Sequence, residues 1–107
     1  MSYDLGLEID AGNGLIMIGD SHNYTCNLGD FFEWVLGKRL PAFNGLDANE
    51  LGNAIEHAMS KISRVSKNEL VKYEPENGWG SVLGATAFLA RVGIACARAP
   101  LAKVWVN

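Results

Sequence analysis

Hydrophobic and polar residues alternate strictly at the start of the chain. Tyr3, Leu5, Leu7 and Ile9 are separated by Asp4, Gly6, Glu8 and Asp10. Successive side chains of a strand point to opposite faces, so this period of two predicts a half-buried strand with an acidic outer face. Residues 11–14 (Ala-Gly-Asn-Gly) predict a tight turn, because Gly and Asn tolerate positive φ. Residues 15–18, apolar on both faces, predict a second and more central strand that completes a hairpin.

The segment after the hairpin is polar, and residues 19–27 predict a loop that pairs with a sheet edge at most briefly, over residues 23–26. Asn27 is the expected N-cap of a short helix that carries Phe31, Phe32, Trp34, Val35 and Leu36. Gly37 is expected to end this helix in the left-handed conformation.

A longer helix is predicted to begin at Asp47. Asp47 and Glu50 have the spacing of a capping box, and Leu46 and Leu51 have that of a hydrophobic staple. The expected buried stripe consists of Leu51, Ile55, Ala58, Met59, Ile62 and Val65. The helical pattern then breaks over residues 67–76.

Residues 81–98 predict a helix that is apolar around most of its circumference and is therefore expected to be buried between layers. Arg91 and Arg98 lie two turns apart on one face, the edge expected to reach water. A membrane span is not expected, because Arg91 would lie within it and the apolar run before Arg91 is short. Pro100 stops the helix, and residues 103–106 predict a last strand.

These elements predict an α+β fold in a single domain, residues 1–107, with the order ββαααβ. The expected architecture is a small, mainly antiparallel sheet packed on one face by two or three helices, in which the C-terminal strand returns to pair with the first. The helix at residues 81–98 is expected to lie between the sheet and the other helices.

Composition narrows the function classes. The formal net charge is −3 and no basic cluster occurs, so sequence-independent nucleic-acid binding has no electrostatic basis. No secretory signal is recognised at the N-terminus, and Cys26 and Cys96 are expected to be free thiols of a reducing compartment. We therefore expect a cytoplasmic protein that neither binds nucleic acid nor enters a membrane.

No pattern of metal-binding or catalytic residues is found. Structural zinc needs two close pairs of ligands, which His22 and Cys26 do not supply, and the glycines at residues 12–19 lack the spacing of a dinucleotide fingerprint. We expect no cofactor, no metal and no enzymatic activity.

Residues 22–27 form the first candidate site, because hydrogen-bonding side chains and one aromatic ring follow one another there. Its residues are His22, Asn23, Tyr24, Thr25 and Asn27. The two asparagines could satisfy local backbone groups in a turn and a helix cap, or the group could form a polar pocket wall or contact loop.

Asn77-Gly78-Trp79-Gly80 forms the second candidate site. In a structural role, Asn77 would cap the following helix and Trp79 would cover the sheet. An exposed Trp79 would instead favour an interface, since tryptophan is a frequent interface anchor.

Four short motifs resemble a family of small uncharacterised proteins found in bacteriophages, prophages and actinobacterial genomes. They are Tyr3-Asp4-Leu5, Asn23-Tyr24-Thr25-x-Asn27, Pro75-x-Asn77-Gly78-Trp79-Gly80 and Val104-Trp105-Val106. Family members often continue the Asn-Gly-Trp-Gly motif with Asp-Tyr-Glu-Gly, where this chain has Ser-Val-Leu-Gly. The resemblance implies a phage or prophage accessory protein that acts inside a bacterial cell, and it implies no activity.

Two functional hypotheses follow. The first is non-enzymatic interaction with an unidentified host or phage protein, including inhibition of a host antiviral defence system; a homodimer is also compatible with the sequence. The second is binding of a small nucleotide-like or amide-bearing ligand by residues 22–27 together with Asn77 and Trp79.

Overall fold

The computed structural model describes residues 2–107 and confirms the predicted α+β architecture. Strands β1 (Ser2–Asp10) and β2 (Leu15–Thr25) form the N-terminal hairpin, and β3 (Lys103–Val106) pairs with β1 on its other side. All pairings are antiparallel, and the strand order is β2-β1-β3. The helices are α1 (Gly29–Leu36), α2 (Ala48–Arg64), α3 (Lys67–Val71) and α4 (Val82–Arg98), with 3₁₀ turns at Cys26–Leu28 and Leu40–Phe43.

The register of the hairpin decides which side chains share a face. Tyr3 lies opposite Tyr24, and Leu7 lies opposite Ile18, on the inner face that meets the helices. Asp4 lies opposite Asn23, and Glu8 lies opposite Met17, on the outer face. The Trp105 side chain covers Gly6 on this outer face, where a Cβ atom would approach the indole nitrogen to 2.7 Å.

The second strand differs from the sequence prediction in two ways. It continues to Thr25 through the segment predicted as a loop, with a bulge opposite residues 5–7 where Gly19 adopts φ +68°. It also lies at the edge of the sheet and not at its centre, because β3 occupies the far side of β1. Bulges concentrate at sheet edges, where one strand has no second partner to hold its register.

Two capping residues were predicted wrongly, although the predicted start of α4 at residue 81 is confirmed. Thr25, and not Asn27, caps the turn before α1, and its Oγ1 accepts a hydrogen bond from the Asn27 N–H. Ser81, and not Asn77, caps α4, and its Oγ accepts from the Gly84 N–H. A short helix, α3, also forms within the stretch where the pattern was predicted to break, because Ser66 caps it.

Other local predictions are confirmed. Gly37 ends α1 with φ +87°, and Asp47 is the residue before α2. The Asp47 side chain does not cap the helix, however. Its carboxylate accepts a hydrogen bond from Lys103 Nζ at 2.6 Å and so joins the start of α2 to β3.

The core lies between the inner face of the sheet and helices α1, α2 and α4. Its largest buried side chains include Phe31, Phe32 and Phe88. Tyr24 of β2 stacks on Phe88 with ring centroids 5.8 Å apart, which joins the sheet to α4. Within residues 2–107, no helix has both the length and the apolar character needed to cross a membrane.

Helix α4 is buried on one side and not around most of its circumference. Val82, Phe88 and Val92 face the core, whereas Leu83 and Ile94 are 80% and 55% exposed. The prediction that this helix is buried around most of its circumference is therefore wrong. Helix α4 packs against α2 and β2, and the rest of its surface is open.

Candidate functional site

Five of the seven predicted site residues line one shallow depression of about 570 Å³. We call it the Asn–Trp depression. Its lining residues are Ser2, Asn23, Thr25, Asn27, Asn77 and Trp79. Asn23 and Thr25 come from the outer face of β2, Asn27 from the 3₁₀ turn, and the last two residues from the loop before α4.

One hydrogen bond joins the two halves of the depression, and further hydrogen bonds fix each half. Asn27 Nδ2 donates to the Trp79 carbonyl oxygen at 3.2 Å, across 52 positions of sequence. Asn77 Oδ1 accepts from the Trp79 N–H at 2.9 Å, which fixes the loop locally. Asn23 Nδ2 donates to Asp4 Oδ1 at 2.7 Å and anchors the strand side.

Gly80 brings the loop close to the strand. It adopts φ +112°, and a Cβ atom at this position would approach Thr25 Cγ2 to 2.6 Å and Leu28 Cδ2 to 2.8 Å. A side chain at residue 80 would therefore be strained in its backbone and would push the loop away from β2.

A structural role would have required Trp79 to cover the sheet, and it does not. It is 71% exposed, and it lies at the rim of the depression. Exposed tryptophan is uncommon on protein surfaces that make no contacts, and at interfaces it is among the residues that contribute most to binding.

The remaining two predicted residues lie on the other face of β2. The Tyr24 hydroxyl accepts from the Ser81 N–H and donates to the Ser81 carbonyl oxygen, both at 2.9 Å, so it serves the fold. His22 lines a separate cleft against α4. The prediction of residues 22–27 as one surface is therefore wrong, because alternate residues of a strand point in opposite directions.

The lining of the depression is uncharged and mostly polar. No Asp, Glu, Lys, Arg or His side chain is among its lining residues. Asn23 Oδ1, Asn27 Oδ1 and Asn77 Nδ2 make no hydrogen bond to any residue in the range 2–107 and are left as acceptors and a donor. Amide side chains of this kind pair with amides or with base edges, and the indole of Trp79 offers a flat apolar surface.

A second surface was not anticipated by the sequence reasoning. Four apolar side chains at the distal end of the hairpin are exposed, and we call them the hairpin tip: Ile9, Leu15, Ile16 and Met17. The three on β2 are 52–59% exposed. The available signal was the apolar run at residues 15–18 itself, which predicts burial; Ile18 packs against the core, but Leu15, Ile16 and Met17 are each more than half exposed.

The two strands of the hairpin itself carry only acidic charges. Strands β1 and β2 carry Asp4, Glu8, Asp10 and Asp20 and contain no Lys or Arg. The same imbalance extends to residue 37, before which no Lys or Arg occurs in the chain. Asp30 and Glu33 are paired with Arg39, so the acidic groups that remain beside the apolar end are those of the hairpin.

Comparisons with protein-family models, curated proteins and solved structures find no match to this chain. Within residues 2–107, no three His, Cys, Asp or Glu side chains come together as potential ligands of one metal ion.

Proposed function

We propose that this chain is a non-enzymatic interaction protein that binds another protein through its hairpin tip. The observation that carries the proposal is the exposure of Leu15, Ile16 and Met17 on the edge strand of the sheet. Exposed apolar residues that lie together favour a binding surface, whereas single exposed ones need no explanation.

The edge of β2 lacks the usual protection against pairing. Native edge strands are commonly guarded by Lys, Pro or inward-pointing charges, and residues 15–18 (Leu-Ile-Met-Ile) contain none of these. A strand added there would gain backbone hydrogen bonds along the edge and apolar contacts on both faces, which is the β-augmentation mode of recognition. The bulge after Ile18 limits the regular edge to about one short strand.

Charge indicates what the added strand should carry. Asp10 and Glu8 lie beside the outer face of the tip, and Asp20 follows it along β2. Lys103 of β3 lies opposite Glu8, but its ammonium group is paired with Asp47. A partner segment with Lys or Arg around alternate apolar residues would be complementary, whereas a second copy of this hairpin would bring acidic groups together. We therefore infer a basic, apolar partner segment.

The biological setting of the proposal comes from the motif resemblance. A phage or prophage accessory protein would meet its partner inside the bacterial cell, and a component of a host antiviral defence system is our specific candidate. Small size and the lack of a recognisable catalytic pattern are compatible with inhibition by occupancy of a surface.

Site-specific photocrosslinking tests the surface. Met17 is replaced by p-benzoylphenylalanine, the protein is expressed in a bacterial host, and adducts are identified by mass spectrometry. The matched control carries the same residue at Leu101, which is 85% exposed and lies outside the hairpin. We expect a protein adduct from position 17 and none of the same mass from position 101. Equal adducts from both positions, or none from position 17, would overturn the proposal.

The sign of the partner's charge is tested by two variants of one residue. Ile16→Glu and Ile16→Lys remove the same apolar contact, but only the lysine repels a basic segment. We expect the adduct yield at position 17 to fall further in Ile16→Lys than in Ile16→Glu, and the difference to shrink at high salt. An adduct of the chain with itself, together with a dimer in light scattering, would contradict the basic partner.

A second function is favoured by a different observation. Five predicted residues meet in the Asn–Trp depression, and three of their amide atoms lack intramolecular partners. We propose this depression as a site for a neutral amide-bearing or nucleobase-like ligand, which can stack on Trp79.

This function is tested by titrating the protein with nucleosides and small amides and measuring the NMR chemical shifts of the asparagine side-chain amides. Saturable shifts of the Asn27 and Asn77 signals are expected, and they should be lost in Trp79→Ala but kept in Leu83→Ala, which also removes an exposed apolar side chain. Shifts that never saturate, or that survive Trp79→Ala, would exclude the depression as a site.

A further inference from the structure

A cleft between β2 and α4 is lined by Arg91 and Arg98, the two arginines that were predicted to lie on the solvent-exposed face of α4. Its volume is about 280 Å³. Arg91 and Arg98 line the helix side, and Asp20 and His22 line the strand side. The cleft lies on the inner face of β2, so it is separate from the Asn–Trp depression on the outer face.

The two arginines make no hydrogen bond or salt bridge with any of residues 2–107. Of the nine Lys and Arg side chains, six contact a carboxylate, a carbonyl oxygen or an aromatic ring within residues 2–107: Lys38, Arg39, Lys61, Arg64, Lys72 and Lys103. The other three are Lys67, Arg91 and Arg98. Two of these three therefore line the same cleft, in a protein whose net charge is negative.

The floor between the charged rims is apolar. Leu7 and Ile18 contribute from the sheet and Ile94 from α4. Ile16 and Ile18 share the inner face of β2, so the apolar surface continues from the cleft toward the hairpin tip. A ligand with an aliphatic body would bury it along this floor and gain free energy in proportion to the apolar area covered.

The geometry points to an anionic amphiphile as the ligand: we propose that the cleft binds a small molecule with an aliphatic body and a carboxylate or phosphate head. Guanidinium groups bind these heads through paired, charge-assisted hydrogen bonds. Asp20 opposes an anion, but the two arginines and this one carboxylate together leave the cleft lining with a net positive charge. Arg91 and Arg98 start about 10 Å apart along the helix axis, so one head group meets one arginine at a time or lies between them.

Size limits the ligand further. At about 30 Å³ per heavy atom in liquid-like packing, the cleft encloses about nine heavy atoms, and a longer chain would extend over Ile16. Octanoate and octyl phosphate are therefore suitable probes, and octanol and octylamine carry the same body with a neutral and a cationic head.

NMR titration of the whole chain tests the proposal. We expect saturable shifts of the Ile18, Gly19 and Ile94 amides with octanoate or octyl phosphate, and affinities at least tenfold lower for octanol and octylamine. The tighter of the two anions assigns the head group. Equal binding of octanol or octylamine, or no saturation by either anion, would overturn the proposal.

Three variants separate the cleft from non-specific charge effects. Arg91→Gln and Arg98→Gln should each keep the amide spectrum of the folded protein, and at least one should weaken the anion at least tenfold. Lys67→Gln removes the third cation without a contact, outside the cleft, and should leave the affinity unchanged. A loss in Lys67→Gln equal to that in the arginine variants, or no loss in either arginine variant, would contradict a site in the cleft.

Discussion

At the scale of single residues, the parity of positions along β2 decides which predicted side chains meet. Asn23 and Thr25 share the outer face, whereas His22 and Tyr24 point toward α4. The sequence identified the polar residues because hydrogen-bonding side chains are visible without a structure. It could not sort them by face, because the segment carries no apolar alternation and was predicted as a loop.

Tyr24 offers a residue-scale test of the link between β2 and α4. Its hydroxyl pairs with both backbone groups of Ser81, so Tyr24→Phe should lower the free energy of unfolding by about 1–2 kcal/mol. The control is Tyr73→Phe, whose hydroxyl makes no hydrogen bond with any residue from 2 to 107, and it should cost under about 0.5 kcal/mol. Urea denaturation measures both, and equal losses would contradict the link.

The two thiols should differ in reactivity. Burial raises the pKa of the Cys96 thiol to about 11, so at pH 8 only about one molecule in a thousand carries the thiolate there. A thiol reagent should modify half-buried Cys26 first and Cys96 slowly, and the Cys96 rate should rise about tenfold per pH unit below pH 11. Cys26→Ser should retain only the slow phase. Similar rates for both thiols in the folded protein would refute this difference.

At the scale of elements, local sequence signals predicted which strands and main helices form, but they did not predict how far β2 extends. The alternation of β1, the turn glycines and the staple at α2 act within a few residues, so they could be read from the sequence. The extension of β2 beyond Gly19 depends on pairing with β1. The start of α4 at residue 81 was predicted, but its capping side chain is Ser81, and Asn77 Oδ1 accepts from the Trp79 N–H instead.

The Ser81 cap can be compared with Asn27, which was predicted to cap a helix and does not. Ser81→Ala removes the hydrogen bond to the Gly84 N–H at the start of the 17-residue helix α4, and it should cost about 1 kcal/mol of stability. Asn27→Ala removes only an exposed bond to the Trp79 carbonyl and should cost under about 0.5 kcal/mol. Chemical denaturation should rank the variants in this order, and a larger loss in Asn27→Ala would mean that Asn27 supports the fold.

At the scale of the whole molecule, apolar residues are divided between a core and a projecting end. The protein measures 49 × 27 × 19 Å along its principal axes, so it is markedly elongated. Leu5 and Leu7 of β1 are buried beneath the helices, whereas Ile9, on the same face, is partly exposed. The sequence could not distinguish these positions, since all three continue one alternating pattern.

This division predicts that the hairpin tip contributes little to stability. A double variant, Leu15→Ser with Met17→Ser, removes two side chains that are more than half exposed, so the free energy of unfolding should change by less than about 1 kcal/mol. Leu5→Ala, which empties a fully buried site, should cost about 2–5 kcal/mol. Because residue 17 is mutated in this variant, the crosslinking residue is placed at position 16. If the tip is an interface, the double variant should lose the protein adduct formed from position 16, while its denaturation curve stays near that of the wild type. Stability lost together with binding would mean that the exposed leucine and methionine serve the fold, and the interface would have to be sought elsewhere on the molecule.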